Sequence, residues 1–416
     1  MLKKILFPII TCALITNSAV AQLNEIPSNG ISLEGTESFD NEIKNLLKEW
    51  NIPGASIAVA KNGKLILAKG YGLADKTTKK EITNNSVSRV GSITKTLTAV
   101  ITFKLIEKGQ LNLDDKILSI LKRGNINPLK INDERIKNIT VRHLLEHSAG
   151  WDRNKSGDPV FMPLLQDISR RQNESPVSST AITKYALEQK LDFSPGERFA
   201  YSNVGYCILG KVIESATGKS LIELISQEIT QPVFGKDYRT GKSVERSDDE
   251  LTYHSEDQQK LIAAPGIKAL LGVEAPYGSY SIENMEAFGS WVATPTDVLK
   301  FFLAIDGTKG PQLITNESLA SMLEPPSYSN SSSLKGSYFG KGIMVFSNTN
   351  GKNWFHSGSQ PGLEALAIKT MNGFAWVVVF NSRPKSKNGM NFSNEFDRAL
   401  WRASRNTKIA EKNDLF

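Results

Sequence analysis

A serine and a lysine three positions apart are the first residues in this sequence that could do chemistry. Ser92 and Lys95 precede a segment with apolar residues at helical spacing, which Gly109 ends. On such a helix the hydroxyl and the amine share one face and come within hydrogen-bonding distance. A serine becomes a good nucleophile when a base takes its proton, and a buried, uncharged lysine can be that base. The pair indicates nucleophilic catalysis, although a capping serine beside a surface lysine has the same pattern.

Two later stretches carry polar groups at the ends of predicted elements. Tyr201 and Asn203 lie where a Pro-Gly loop leads into a helix, and His356 and Gly358 lie near the end of a predicted strand, directly before Ser359. Asn203 also fits a helix cap, and Gly358 also fits a bend at a strand end. Each stretch alone is therefore weak evidence for a catalytic site, and the order of the stretches along the chain is stronger evidence.

A fourth stretch matches the H-x-x-E-H pattern of one class of zinc peptidases, with His143 and His147 at its ends. The segment is short, because Thr140 caps it and Gly150 soon ends it. A catalytic zinc needs three protein ligands, and nothing in the sequence singles out a third. We expect packing and hydrogen-bonding roles for both histidines and no metal, with a zinc peptidase as the least favoured alternative.

The elements that must position these residues are marked by Asn-Gly pairs at 62–63, 350–351 and 372–373, each between two strand-like runs. The middle of the chain is mostly helix and loop by its pattern. We predict an α+β fold in which residues 38–110 and 281–403 form an antiparallel sheet flanked by helices. A mainly helical domain, 111–280, is inserted, and the site lies in the cleft between the two.

The start of the sequence predicts export. A short basic start, an apolar run and Ala19-Val20-Ala21 indicate a signal peptide over 1–21, cleaved after Ala21, so we expect a periplasmic or secreted protein. No other run is apolar enough to cross a membrane. We expect flexibility at 22–37, in the Ser/Asn cluster 327–333 and in the polar tail 404–416.

Composition narrows the function classes. The 416 residues, 40% of them hydrophobic, suffice for a large core. The net charge of +7 comes without any concentrated Lys/Arg block, so we expect no nucleic-acid partner. After cleavage Cys207 is the remaining cysteine, which excludes a disulfide framework and leaves stability to a packed core.

Taken in order, Ser-x-x-Lys at 92–95, Tyr-x-Asn at 201–203 and His-x-Gly at 356–358 resemble the signatures of the penicillin-recognising serine hydrolases. The resemblance is to the branch of class C β-lactamases, esterases and D-amino-acid peptidases, and it covers roughly residues 42–381. It implies a β-lactamase/transpeptidase-like fold and catalysis through an acyl-enzyme, without cofactor or metal.

The resemblance also implies catalytic roles for three residues. Ser92 attacks a carbonyl carbon, and Lys95 and Tyr201 share the proton transfers. Tyr201 serves the leaving group first and water later, and a phenolate or a shared proton is expected where Lys95 lies close.

Four further residues are implied to bind substrate. Asn203 donates to an amide carbonyl of the substrate and helps to hold Lys95. The backbone N–H of Ser359, with that of the nucleophile, forms an oxyanion hole. Gly358 lets the substrate approach the strand, and His356 lies beside it.

His356 departs from the lysine that many β-lactamases carry. An ordinary imidazole is mostly neutral above about pH 7, so a substrate carboxylate would be held less firmly. We therefore expect an exported hydrolase of a small-molecule ester, amide or D-amino-acid peptide, with peptidoglycan fragments among the candidates. The alternatives are a class C β-lactamase and a catalytically silent cell-wall-binding homologue.

Overall fold

A computed structural model of the chain describes residues 26–256, 259–269, 271–326, 328, 336–409 and 413–416. The predicted signal peptide lies outside the described residues, as does the Ser/Asn cluster 327–333 apart from residue 328. The proposed division into a sheet domain and an inserted helical domain stays a prediction.

In the described part of the chain, nine strands form one large antiparallel sheet, and two short strands form a second. The strands are β1 (Ser28–Ser32), β2 (Gly54–Lys61), β3 (Lys64–Asp75), β4 (Lys80–Glu81), β5 (Ser88–Arg89), β6 (Val292–Ala293), β7 (Ser337–Phe339), β8 (Met344–Asn348), β9 (Gly351–Gln360), β10 (Leu363–Lys369) and β11 (Phe374–Phe380). The large sheet has the order β1-β3-β2-β11-β10-β9-β8-β7, with β4 also paired to β3, and β5 pairs with β6. Strands from the two ends of the chain therefore meet where β2 pairs with β11.

Helices cover the sheet and fill the middle of the chain. They are α1 (Glu37–Glu49), α2 (Thr94–Glu107), α3 (Ile117–Arg123), α4 (Val141–Leu145), α5 (Leu164–Gln172), α6 (Ser179–Glu188), α7 (Asn203–Thr217), α8 (Leu221–Ile225), α9 (Gln231–Phe234), α10 (Pro295–Ile305), α11 (Asn316–Met322) and α12 (Phe392–Asn406). Among the described residues, no helix is both long and apolar enough to cross a membrane. The α+β fold with an antiparallel sheet flanked by helices is confirmed.

Alternation along the strands builds one core on each face of the sheet. In β11, Val377 belongs to a core shared with α2 and α10, whereas Trp376 belongs to a core shared with α1 and α12. Because α2 carries Ser92's neighbour Lys95, the first core also supports the candidate site.

The predicted hairpins form. Asn62 and Gly63 have φ values of 50° and 76°, the left-handed conformation that a tight hairpin turn requires. Near the other end, Asn348 pairs with Gly351, so that turn lies one residue earlier than the Asn-Gly pair predicts.

Two segments expected to be flexible contain secondary structure or tertiary contacts where the structure describes them, and their flexibility stays a prediction. Within 22–37, β1 pairs with β3 through its backbone, although its side chains are exposed. Within 404–416, α12 continues to Asn406, and Asp414 accepts from the backbone N–H of Leu65 at 3.0 Å.

Candidate active site

Ser92 lies in a single 3-10 turn, Gly91–Ile93, that leads directly into α2. Gly91 has a φ of 56°, and a β-carbon there would come 3.1 Å from the backbone nitrogen of Ser359. Glycine therefore lets this turn lie against the end of β9. Ser92 itself is half-buried.

The ammonium of Lys95 is fully buried and reaches three oxygen atoms. In the ammonium form, Nζ donates to Ser92 Oγ at 3.1 Å, to Asn203 Oδ1 at 2.8 Å and to the Phe288 carbonyl at 3.1 Å. The serine and lysine thus meet as their spacing predicts. A neutral amine has two N–H groups and one lone pair, and the amide and carbonyl oxygens accept both N–H groups. The lone pair then faces the Ser92 hydroxyl.

The environment of Lys95 favours that neutral amine. Burial lowers its pKa well below the ordinary value, the nearby Asp158 carboxylate opposes this shift, and Arg153 adds to it. A lysine with a lowered pKa can accept the proton that Ser92 loses when it attacks a carbonyl carbon.

Asn203 begins α7, where Ser202 caps the helix by accepting from the backbone N–H of Gly205 at 3.1 Å. Asp158 Oδ2 accepts from Asn203 Nδ2 at 3.0 Å and from its backbone nitrogen at 3.3 Å. A carboxylate can bind only the donor end of an amide, so this contact turns Oδ1 towards Lys95. Asn203 is buried.

Tyr201 lies between several rings and cations. Its ring centroid is 4.3 Å from that of His147, and the ring lies 4.9 Å from Lys95 Nζ and 5.0 Å from Arg153 Cζ. Burial raises the pKa of Tyr201, while a hydrogen bond with Ser92 lowers it less strongly. The raised pKa favours the protonated phenol over a phenolate, and a proton shared with Lys95, the other state expected from the sequence, stays a prediction.

His356 projects from β9 and is buried. Burial, with a smaller effect of Lys95, lowers its pKa to about 3, so the imidazole is neutral at working pH. Its Nδ1 lies 2.7 Å from the Ser357 carbonyl, which makes Nδ1 the donor of the neutral ring. Nε2 is then an acceptor that has no hydrogen-bond partner among the described residues.

Gly358 and Ser359 lie on opposite faces of β9. Gly358 is buried against the carbonyl of Val90, so its small size serves the packing of two protein segments. Ser359 is exposed, and its hydroxyl donates to Glu364 at 2.8 Å.

A cavity of about 400 Å³ opens over these groups. Its lining residues are Ser92, Arg153, Phe199, Tyr201, Ser337, Tyr338, Phe339, Met344, His356, Ser357 and Ser359. Four of the residues predicted from the sequence thus share one cavity wall. Lys95, Asn203 and Gly358 lie behind it, and substrate contact by Asn203 stays a prediction.

The H-x-x-E-H segment uses its side chains for other contacts. His143 Nδ1 accepts from the backbone N–H of Thr140 at 3.2 Å, and His147 Nδ1 accepts from that of Ser202 at 3.1 Å. Glu146 forms a buried ion pair with Lys341 at 3.2 Å. Each of the three side chains therefore has its own structural partner.

Sequence reasoning did not find Asp158 and Arg153. Asp158 is 45 positions from the asparagine that it orients, and no spacing rule connects the two. Arg153 resembles any exposed loop arginine until the loop is folded beside Tyr201. The Asp158-Pro159 pair is a turn signal, but it says nothing of a partner.

Known proteins resemble this chain in sequence or in fold. The protein flp of Staphylococcus aureus strain MW2 is 26% identical over 269 residues, 64% of this chain and 51% of flp, so the chain spans about half the length of that curated relative. The structure of the octameric penicillin-binding protein homologue from Pyrococcus abyssi matches with a TM-score of 0.64 and 26% identity, over 88% of this chain and 76% of that one.

A D-amino acid amidase from Ochrobactrum anthropi SV3 has a similar fold, with a TM-score of 0.68 and 20% identity over 90% of this chain and 99% of the amidase. A family model described as Beta-lactamase matches residues 39–397, which is most of the sequence. The chain therefore belongs to the Beta-lactamase family of serine hydrolases.

Proposed function

We propose that the protein is an exported serine hydrolase that forms an acyl-enzyme on Ser92 with an ester or a D-amino-acid amide or peptide. The observation that carries this proposal is the 3.1 Å contact between Lys95 Nζ and Ser92 Oγ, together with the lowered pKa of the lysine.

In the first half-reaction, Ser92 Oγ bonds to the carbonyl carbon while its proton passes to Lys95 Nζ. The carbonyl π electrons move to the oxygen, which the backbone N–H groups of Ser92 and Ser359 stabilise. When the carbonyl reforms, the bond to the leaving oxygen or nitrogen breaks, and Tyr201 gives that atom a proton. Lys95 then returns a proton to Tyr201. The raised pKa of Tyr201 suits it to act as this acid.

In the second half-reaction, water attacks the acyl ester, and the proton of the water passes to the Tyr201–Lys95 pair. The ester bond breaks, and Ser92 recovers its hydroxyl proton. No aspartate or glutamate is among the residues that line the cavity in the described part of the chain. The same two groups therefore serve both half-reactions.

Turnover of an aryl ester, nitrocefin and a D-alanyl-D-alanine peptide, measured side by side, tests the proposal. We expect faster turnover of the ester or the peptide than of nitrocefin, labelling of Ser92 by a fluorophosphonate, and loss of both in Ser92→Ala. Ser32→Ala, at an exposed position of β1, is the matched control and should keep both. Labelling that survives in Ser92→Ala, or no turnover of any of the three by the folded protein, would overturn the proposal. Preferred cleavage of nitrocefin would favour a β-lactamase.

Export rests on the sequence of the first 21 residues. We expect the protein in the periplasm or the medium of a bacterial host, with Gln22 as the first residue of the mature chain. N-terminal sequencing of the fractionated protein measures this. Recovery of the uncleaved chain from the cytoplasm would contradict it.

A further inference from the structure

The charged side chains that line the cavity over Ser92 are exclusively positive in the described part of the chain. Arg153 is the only lysine, arginine, aspartate or glutamate among the lining residues that the structure describes. His356 also lines the cavity, but burial keeps it neutral. Lys95 lies behind the cavity wall, and its lowered pKa favours the amine. The guanidinium is thus the permanent cation that an incoming substrate meets.

Nearby carboxylates are already engaged with other groups. Asp152 pairs with Arg198 at 2.9 Å and accepts from the backbone N–H of Asn154 at 3.0 Å. Asp192 accepts from the backbone N–H of Asp152 at 2.9 Å and from the Ser156 hydroxyl at 2.7 Å. These bonds fold the loop tightly, and Arg153 takes part in no ion pair between described residues.

The loop also holds Arg153 in a defined place. Its Cζ lies 5.0 Å from the centre of the Tyr201 ring, a cation–π arrangement that leaves the N–H groups at the guanidinium edge available. Phe199 and Phe339 form an apolar wall of the same cavity. An anion, an apolar body and a reactive carbonyl could therefore be bound together.

We propose that Arg153 binds a carboxylate of the substrate, so that the enzyme prefers esters or amides that carry a negative charge close to the scissile bond. This inference rests on the proposed acyl-transfer function. Arg153 then provides the positive charge that the neutral His356 does not provide, and it does so from a loop distant in sequence. A guanidinium matches a carboxylate with two parallel hydrogen bonds, and such charge-assisted pairs are stronger than neutral ones.

Two pairs of esters test the proposal. In the first pair the acyl group is hydrogen glutarate or pentanoate, each with 4-nitrophenol as leaving group. In the second the leaving phenol carries a 3-carboxylate or a 3-carboxamide, each with pentanoate. Arg153→Gln should lower the ratio of kcat/KM for the charged over the neutral ester by about tenfold in at least one pair. Arg153→Lys should lie between this variant and the parent protein.

Lys155→Gln is the matched control, because it removes one positive charge from the same loop. Lys155 is exposed, lies 4.0 Å from Asp192 and does not line the cavity. Its variant should keep the charge preference of the parent protein. An unchanged ratio in both ester pairs for Arg153→Gln, or an equal loss in both variants, would overturn the proposal.

Binding without turnover separates this inference from the proposed function. In a Ser92→Ala background, calorimetry with the anilides of glutaric and pentanoic acid measures the charge preference directly. Arg153→Gln should weaken binding of the glutaric anilide by about tenfold and leave the pentanoic anilide unchanged. If that loss occurs but no ester is hydrolysed by the parent protein, the acyl-transfer function fails and the carboxylate site stands. Equal binding by both proteins removes the carboxylate site.

Discussion

Gly358 and the carbonyl group of Val90 are in such close contact that a β-carbon at residue 358 would overlap the Val90 oxygen. Val90 precedes the turn that holds the nucleophile, and Gly358 lies in the strand that carries the candidate oxyanion donor of Ser359. The contact therefore sets the distance between the two halves of the site.

Gly358→Ala should damage both activity and stability. The backbone of Val90 cannot rotate away as a flexible side chain can, so β9 must move from the Ser92 turn. We expect a loss of more than about tenfold in kcat/KM and about 1–3 kcal/mol in the free energy of unfolding. Ester turnover and urea unfolding measure the two effects.

Gly205→Ala is the control for that substitution. Gly205 lies in α7, and a β-carbon there would make an ordinary contact of 3.5 Å with the Ser202 hydroxyl. Alanine favours helix, so this variant should be at least as stable as the parent protein. A Gly358→Ala variant that behaves like Gly205→Ala would show that the site tolerates a wider gap.

Asp158→Asn should release the Asn203 amide. An asparagine at 158 can either donate or accept, so it no longer dictates which end of the Asn203 amide faces Lys95. A flipped amide would turn its N–H groups towards the lysine and compete for the lone pair that faces Ser92. We expect kcat for an aryl ester to fall by about 10–100-fold with little change in KM. A proportional rise in KM with unchanged kcat would contradict this positioning role.

The pH dependence of kcat/KM should reflect the protonation state of Lys95. Only the amine form of Lys95 can take the Ser92 proton, so kcat/KM for a neutral ester should rise with pH through a pKa below the ordinary lysine value of 10.5. Asp158 raises this pKa and Arg153 lowers it. The rising limb should therefore move to lower pH in Asp158→Asn and to higher pH in Arg153→Gln. Shifts of the same sign in the two variants would exclude Lys95 as the titrating base.

Sequence patterns predicted the features that depend on neighbouring residues. The hairpin at Asn62-Gly63 follows from two residues that adopt positive φ, and the Ser92–Lys95 contact follows from three positions of helical spacing. The antiparallel sheet follows from alternating runs at both ends of the chain. These inferences need no knowledge of distant partners.

The rest depended on contacts between distant segments. Asp158 reaches Asn203 across 45 positions, and the Arg153 loop is folded by hydrogen bonds to Asp192. Neither relation has a periodic signature. Burial is also a tertiary property, which is why the sequence left open the charge of His356 and whether Tyr201 is a phenolate or shares a proton with Lys95.

The Glu146–Lys341 ion pair provides a test of the segment that resembles a zinc motif. Both side chains are almost fully buried, and Lys341 also contacts the half-exposed Glu324 at 2.8 Å. Burial raises the pKa of Glu146, and the lysine opposes that shift. Lys341→Met should leave a buried carboxylate without its partner and lower the free energy of unfolding by about 3–5 kcal/mol at pH 7.5.

The loss in Lys341→Met should shrink as the pH falls. Without the lysine the pKa of Glu146 rises further, and once the carboxyl is protonated the buried charge disappears. Urea unfolding at pH 7.5 and pH 5.5 measures this, and adding Glu146→Leu should restore most of the stability because no charge remains to bury. Ester turnover should fall with stability in the single variant, since Glu146 directly precedes His147, whose ring packs against that of Tyr201. If Glu146 were instead a zinc-activated base, the double variant would be inactive although stable, and a chelator would abolish turnover of the parent protein.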